Sequence, residues 1–168
     1  MQRRLLLLTA LLTLGGSTWA QAIQVTLVDG TNEPYDTYGT RNNSSTFTSN
    51  DASGLAGIVL SAPVIDRGTW GNTYCLELCP SATRTAETVT FTAPAGYLLL
   101  SVNMTAQANS SDYPYDVVFN ENTTNVTGES AKTFTVNNIL APSFSFTIKH
   151  TAESFHDTNK WLAVKSLT

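Results

Sequence analysis

The sequence predicts an all-β protein, an antiparallel β-sandwich of jelly-roll or immunoglobulin-like kind with about eight strands, and three observations predict it. Apolar and hydroxyl residues alternate with period two at Thr88-Val89-Thr90-Phe91-Thr92, Thr133-Phe134-Thr135-Val136 and Ser143-Phe144-Ser145-Phe146-Thr147-Ile148. That pattern puts apolar groups on one face of a strand and hydroxyls on the other. Clusters of Gly, Pro, Asn, Asp and Ser interrupt the chain at residues 29–34, 50–54, 93–96, 109–112 and 120–128, where turns belong. No stretch sustains a helical period. Many short strands without intervening helices pack as two antiparallel sheets rather than as a parallel α/β sheet.

Taken in order, the chain opens with Arg3 and Arg4, the apolar run Leu5 to Leu14, and small residues closing at Ala20 and Ala22. Charge, a short greasy run and a small-residue exit are the marks of a secretory signal peptide, and the run is too short to span a bilayer. Residues 1–22 are therefore expected to be a cleaved leader and residues 23–168 one β-sandwich domain. The destination is secreted, periplasmic or cell-surface, with no membrane insertion after leader removal. Further strands are expected at Ile23 to Val28, Ile58 to Ile65, Tyr97 to Thr105, Tyr115 to Phe119 and Trp161 to Leu167. The chain stops directly after the last of these, which is read either as a natural end or as the front of a longer protein.

Without Arg3 and Arg4, seven Lys and Arg stand against thirteen Asp and Glu, a formal charge of −6. A nucleic-acid or anionic-membrane partner is disfavoured by that balance. Asn-X-Ser/Thr triplets at Asn42, Asn43, Asn103, Asn109, Asn122 and Asn125 are glycan acceptors only in a eukaryotic secretory pathway.

Cys75 and Cys79 are four residues apart. Extended chain would separate them by about 13 Å, beyond the roughly 4.4–6.8 Å that a disulfide allows between Cα atoms. A bridge between them, expected in an oxidising compartment, therefore requires a turn; two buried thiols are the alternative. No metal site is expected from these cysteines, because His150 and His156 lie far along the chain. A structural calcium is allowed by Asp29, Asp36 and Asp51 in early loops, although no spaced ligand run is present.

No catalytic residue stands out. Asp112 and Asp116 flank Tyr113-Pro114-Tyr115 as a glycosidase pair would, but the favoured reading of the segment is a solvated loop. No nucleophile elbow accompanies the histidines. The strongest signal is aromatic residues beside Asp, Asn and Gly: Tyr35, Asp36 and Tyr38 in one segment, Trp70 and Asn72 in a second, and Asp112, Tyr113, Tyr115 and Asp116 in a third. A flat ring covers the apolar C–H face of a sugar while Asp and Asn fix its hydroxyls. The same rings would otherwise lid the core.

The segment Thr90-Phe91-Thr92-Ala93-Pro94-Ala95-Gly96-Tyr97-Leu98-Leu99-Leu100-Ser101-Val102 resembles a strand, Pro-Ala-Gly-Tyr turn and strand in secreted proteins of Bacteroidetes-type bacteria. There it belongs to an N-terminal accessory β-sandwich ahead of a glycoside hydrolase, often a sialidase. Residues 132–136, 143–148 and 159–164 fit the same arrangement. The resemblance implies a non-catalytic, carbohydrate-contacting accessory domain of a glycan-degrading system, whose partner is a glycan or cell-surface polysaccharide. It carries no catalytic activity onto this chain. A structural or adhesive extracellular domain that binds no sugar is the other expectation.

Overall fold

Alternation becomes pleated sheet along most of the chain. The computed structural model describes residues 21–70, 72–78, 86–110, 113–151 and 161–168. Twelve strands form within them: β1 (Gly39–Asn43), β2 (Thr46–Ser49), β3 (Val59–Ser61), β4 (Ile65–Trp70), β5 (Thr73–Leu78), β6 (Glu87–Thr92), β7 (Leu99–Ala108), β8 (Tyr115–Phe119), β9 (Asn122–Val126), β10 (Lys132–Ala141), β11 (Ser143–His150) and β12 (Leu162–Leu167). One sheet runs β1-β2-β3-β6-β11-β8-β9 and the other β10-β7-β12-β5-β4. Every pairing is antiparallel. The architecture is an all-β antiparallel sandwich.

The strand count exceeds the eight expected because alternation marks only strands with one apolar face. β1 (GTRNN) and β9 (NTTNV) are edge strands of polar residues and carry no such signal. Ile58 to Ile65 divides into β3 and the start of β4. The expected strand at Ile23 to Val28 is a correction. That stretch makes a single bridge, Val28 to Leu167, and otherwise follows the sandwich as irregular chain. A one-turn helix, α1 (Pro34–Thr37), has no sequence-length periodicity to betray it; Glu33 caps it by accepting from the Tyr35 N–H at 3.2 Å, with Pro34 in the first turn.

Between the sheets the alternating faces meet in one core. Phe47, Leu60, Val89 and Phe146 reach it from the seven-stranded sheet, and Leu76, Leu78, Met104 and Leu162 from the five-stranded one. Phe119 sits at the centre of an aromatic cluster, with ring centroids 5.5, 5.1 and 5.2 Å from Phe134, Phe144 and Phe146. Rings at such separations add to the burial energy through edge and offset contacts. The β8–β9 hairpin closes through Asn120 and Glu121, both at positive φ (49° and 66°), the backbone that a two-residue hairpin loop needs to match strand twist.

The registers sort the loops into two ends. Leu99, Ala141, Leu167 and Thr73 share one end of the five-stranded sheet, and Ala108, Lys132, Leu162 and Leu78 the other. Short links carry this polarity across the sandwich: Ala93 N–H bonds Pro142 at the first end, and Ala108 N–H bonds Thr127 at the second.

Candidate functional site

The first end gathers two of the three aromatic segments. Tyr74 donates its N–H to Gly30 O at 3.0 Å, bringing the 29–32 loop against the β4–β5 hairpin. Trp70 ends β4 opposite Thr73, and Asn72 is exposed in the turn between the strands. Tyr38 follows α1 and is held in place from both sides. Its N–H donates to Pro34 O at 3.0 Å and its carbonyl accepts from the Asn50 N–H at 2.9 Å.

The Tyr38 ring is half-buried, and its hydroxyl is fully occupied. It donates to Asp29 Oδ2 at 2.6 Å and accepts from Asn32 Nδ2 at 3.2 Å. Asp29 also accepts from the N–H groups of Thr31 and Asn32, at 2.8 and 2.9 Å, and from Asn32 Nδ2 at 2.9 Å. Desolvation pushes the Asp29 carboxyl upward, but bonds from Tyr38, the two backbone groups and the Asn32 amide outweigh it and hold it down at about 2. The bond to Asp29, followed by burial, raises the Tyr38 hydroxyl. Asp29 is thus the anchor of the loop and of the ring beside it.

Tyr35 takes a different place. Its ring packs 5.8 Å from Phe47 and lies 5.9 Å beneath the Arg41 guanidinium, on the side of the sandwich where β1 and β4 face each other through Arg41 and Asp66 at 3.1 Å. Its hydroxyl is buried without a hydrogen-bond partner among the described residues, and burial raises its ionisation far above the ordinary phenol range. Glu33 and Arg67, 2.6 Å apart, tie the same segment to β4. Tyr35 works as a lid on the core, while Asp36 beside it is exposed.

The third segment belongs to the opposite end, and part of its expected role is overturned. Tyr115 starts β8 and is 0% exposed, because strand phase sends residues 115, 117 and 119 inward together. It can present no face to a ligand. Tyr113 is half-buried with its ring 5.6 Å from His150. Asp116, on the outward phase, accepts from Asn125 Nδ2 at 3.0 Å. Asp112 lies outside the described residues. The three segments therefore do not form one surface.

The cysteine expectation is also corrected in part. Cys75 is a free, buried thiol on β5, paired with Gly68 on β4; Cys79 lies outside the described residues. β5 stays extended through Leu78, so the turn that a bridge requires does not occur there. Burial, with Glu77 nearby, pushes the thiol up to about 11.

Sequence reading missed Glu77. It projects from the outer face of β5, directly opposite Asp66 on β4, and burial followed by the Asp66 charge raises its carboxyl to about 7. Gly68 makes the space, since a side chain there would strike the Glu77 carboxylate. Nothing in a period-two pattern marks two carboxylates as cross-strand neighbours. Among the described residues, no three His, Cys, Asp or Glu side chains gather where a metal could sit. Asp29 does not suit a cation either, because four donors already point at its oxygens.

No protein-family model and no curated protein matches the sequence. Among solved structures, the chain is similar to the CBM36-1 domain of a multidomain xylanase from the hindgut metagenome of Trinervitermes trinervoides. Identity is 11% over 64% of this chain and 87% of that one, with a TM-score of 0.35. It is also similar to a carbohydrate-binding module CBM36 solved in complex with calcium and xylotriose, at 14% identity over 62% of this chain and 92% of that one, with a TM-score of 0.28. Superpositions this loose leave the ligand of the present chain unassigned.

Proposed function

We propose that the protein is a secreted, non-catalytic β-sandwich module that contacts a glycan or cell-surface polysaccharide through its Tyr38 end. The observation that carries this reading is the Tyr38 ring, half-exposed and fixed by its hydroxyl to Asp29 and Asn32. A ring already ordered in the free protein loses little entropy on binding, which is what a stacking platform for a sugar needs. Trp70 and Asn72, at the turn of the adjacent hairpin, extend the same end. The signal-peptide pattern of residues 1–22 supports export to where such glycans lie.

A glycan array on the purified protein, followed by titration of any glycan bound, tests the proposal. Tyr38→Ala and Trp70→Ala are expected to weaken binding roughly tenfold each, the size of one lost stacking contact. Tyr113→Ala, at the opposite end, is expected to bind as the parent does. Silence across the array, or equal loss in Tyr113→Ala, overturns the reading.

A further inference from the structure

Hydroxyls stand in rows across the outer face of the seven-stranded sheet. Phe47, Leu60, Phe91 and Phe146 fill the core, so strand phase turns their neighbours outward. Pairing then sets Thr40 opposite Thr48, Thr48 opposite Val59, Val59 opposite Thr92 and Thr92 opposite Ser143. A second row, one pleat further along, aligns Thr46, Ser61, Thr90 and Ser145. Eight of these nine positions carry a hydroxyl, and the ninth, Val59, has the shape of threonine. Thr40, Thr92, Ser143 and Ser145 are exposed and the other five half-buried. The first row begins two residues beyond Tyr38 and so adjoins the Tyr38 end.

A Ser or Thr hydroxyl both donates and accepts, and it rotates to suit its partner. A row of them can therefore meet the hydroxyls of a sugar chain in either sense. Threonine is stiff at χ1, Thr90 Oγ1 and Ser145 Oγ lie 2.8 Å apart, and Asn42 Nδ2 donates to Thr48 Oγ1 at 2.6 Å, so the array is ordered in the free protein. Each hydrogen bond contributes little by itself. Five strands about 4.8 Å apart make the first row about 19 Å long, and only a ligand of that reach adds enough of them. No ring and no arginine stands in either row, so a protein partner finds none of the anchors on which protein interfaces depend. Charge narrows the ligand further. Neither row contains Asp, Glu, Lys or Arg, in a chain whose expected mature form carries −6, and the lysine of β11, Lys149, has Asp116 as its cross-strand partner. An acidic glycan would meet net repulsion and no counter-ion there, whereas an uncharged one displaces water from hydroxyls alone. The outer face of the other sheet is different in kind, with the carboxylates of Asp66 and Glu77 on paired residues.

We propose that this hydroxyl face extends the glycan site of the Tyr38 end, and that the ligand is an uncharged polysaccharide chain lying across β1, β2, β3, β6 and β11. The inference rests on the glycan reading and narrows it to a neutral polymer, against a single sugar or an acidic glycan. The test is affinity electrophoresis of the purified protein through gels holding hydroxyethyl cellulose, arabinoxylan, galactomannan or, as the acidic probe, polygalacturonate. Retardation is expected with at least one of the three neutral polymers and not with polygalacturonate. Calorimetric titration with oligosaccharides of the retarding polymer should then show affinity rising at least tenfold from disaccharide to hexasaccharide, as contacts along the row accumulate. Ser145→Lys, which sets a long charged chain on the face, should weaken the polymer tenfold or more. Thr92→Val, which removes one hydroxyl and keeps the shape, should weaken it roughly threefold. Thr133→Lys makes the same kind of exchange at an exposed position of β10, in the other sheet, and should bind as the parent does. Both face variants alter side chains already exposed, so their folding is not at stake. Preference for polygalacturonate, equal affinity for disaccharide and hexasaccharide, or unchanged binding in Ser145→Lys overturns this inference. If Tyr38→Ala still weakens binding in any of those cases, the glycan reading of the Tyr38 end stands without it. Binding of no glycan at all overturns both.

Discussion

Two tyrosines in nearly the same local sequence, Tyr38 in Tyr-Asp-Thr-Tyr and Tyr115 in Tyr-Pro-Tyr-Asp, have opposite fates at opposite ends of the sandwich. Tyr38 follows a one-turn helix, outside any strand, and its ring stays half-exposed because Asp29 and Asn32 hold the hydroxyl at the surface. Tyr115 begins a strand whose inward phase carries it into the core. An aromatic residue beside an aspartate keeps its ring at the surface where the backbone is free of strand phase, as at Tyr38. Within a strand, the pleat decides.

The largest effect should come from exchanging their roles by truncation. Tyr115→Ala is expected to cost about 3–5 kcal/mol, since it empties a fully buried ring site. Tyr38→Ala should cost about 1 kcal/mol, the worth of a surface ring and its hydrogen bonds. Urea denaturation of both variants measures the difference; equal costs would mean that the two rings are equally part of the core.

Removing the anchor rather than the ring comes next. Asp29→Ala is expected to cost about 1–2 kcal/mol as its acceptors vanish from the loop. The pH dependence sharpens this. The Asp29 carboxyl lies near 2 in the folded chain against an ordinary 3.8, so its contribution is present above pH 4 and disappears as pH falls through 2. The acid limb of a stability profile should flatten in the variant and remain steep in the parent.

Glu77 gives a pH effect of the reversed sign. Its folded carboxyl titrates near 7 against an ordinary 4.5. Between those values the folded chain holds a proton that the unfolded chain has released, so stability declines as pH rises from about 4.5 to 7 and levels off above. Glu77→Gln, which keeps the shape and cannot ionise, is expected to remove that decline and to melt higher than the parent at pH 8. A thermal melt series from pH 4 to 8 reads it. An unchanged slope would show that Glu77 is more freely solvated than its place over Gly68 implies.

Much of this molecule was legible in its sequence. The long alternating segments are β6, β10 and β11, and residues 115–119 are β8 without adjustment. Their period-two pattern is itself the physical cause of the sandwich, because one apolar face per strand has to be covered by another. The polar edge strands β1 and β9 left no such trace, since an edge strand is held by backbone pairing to a neighbour that local sequence does not name.

The candidate sites divide in the same way. Residue chemistry alone was enough to single out Tyr38, Trp70 and Asn72. Whether each ring faced solvent or core, and which loops met at one end, depended on strand phase and register, properties of pairs of segments far apart in the chain. The Glu77–Asp66 juxtaposition belongs wholly to tertiary structure. It exists because β4 and β5 align residues 66 and 77.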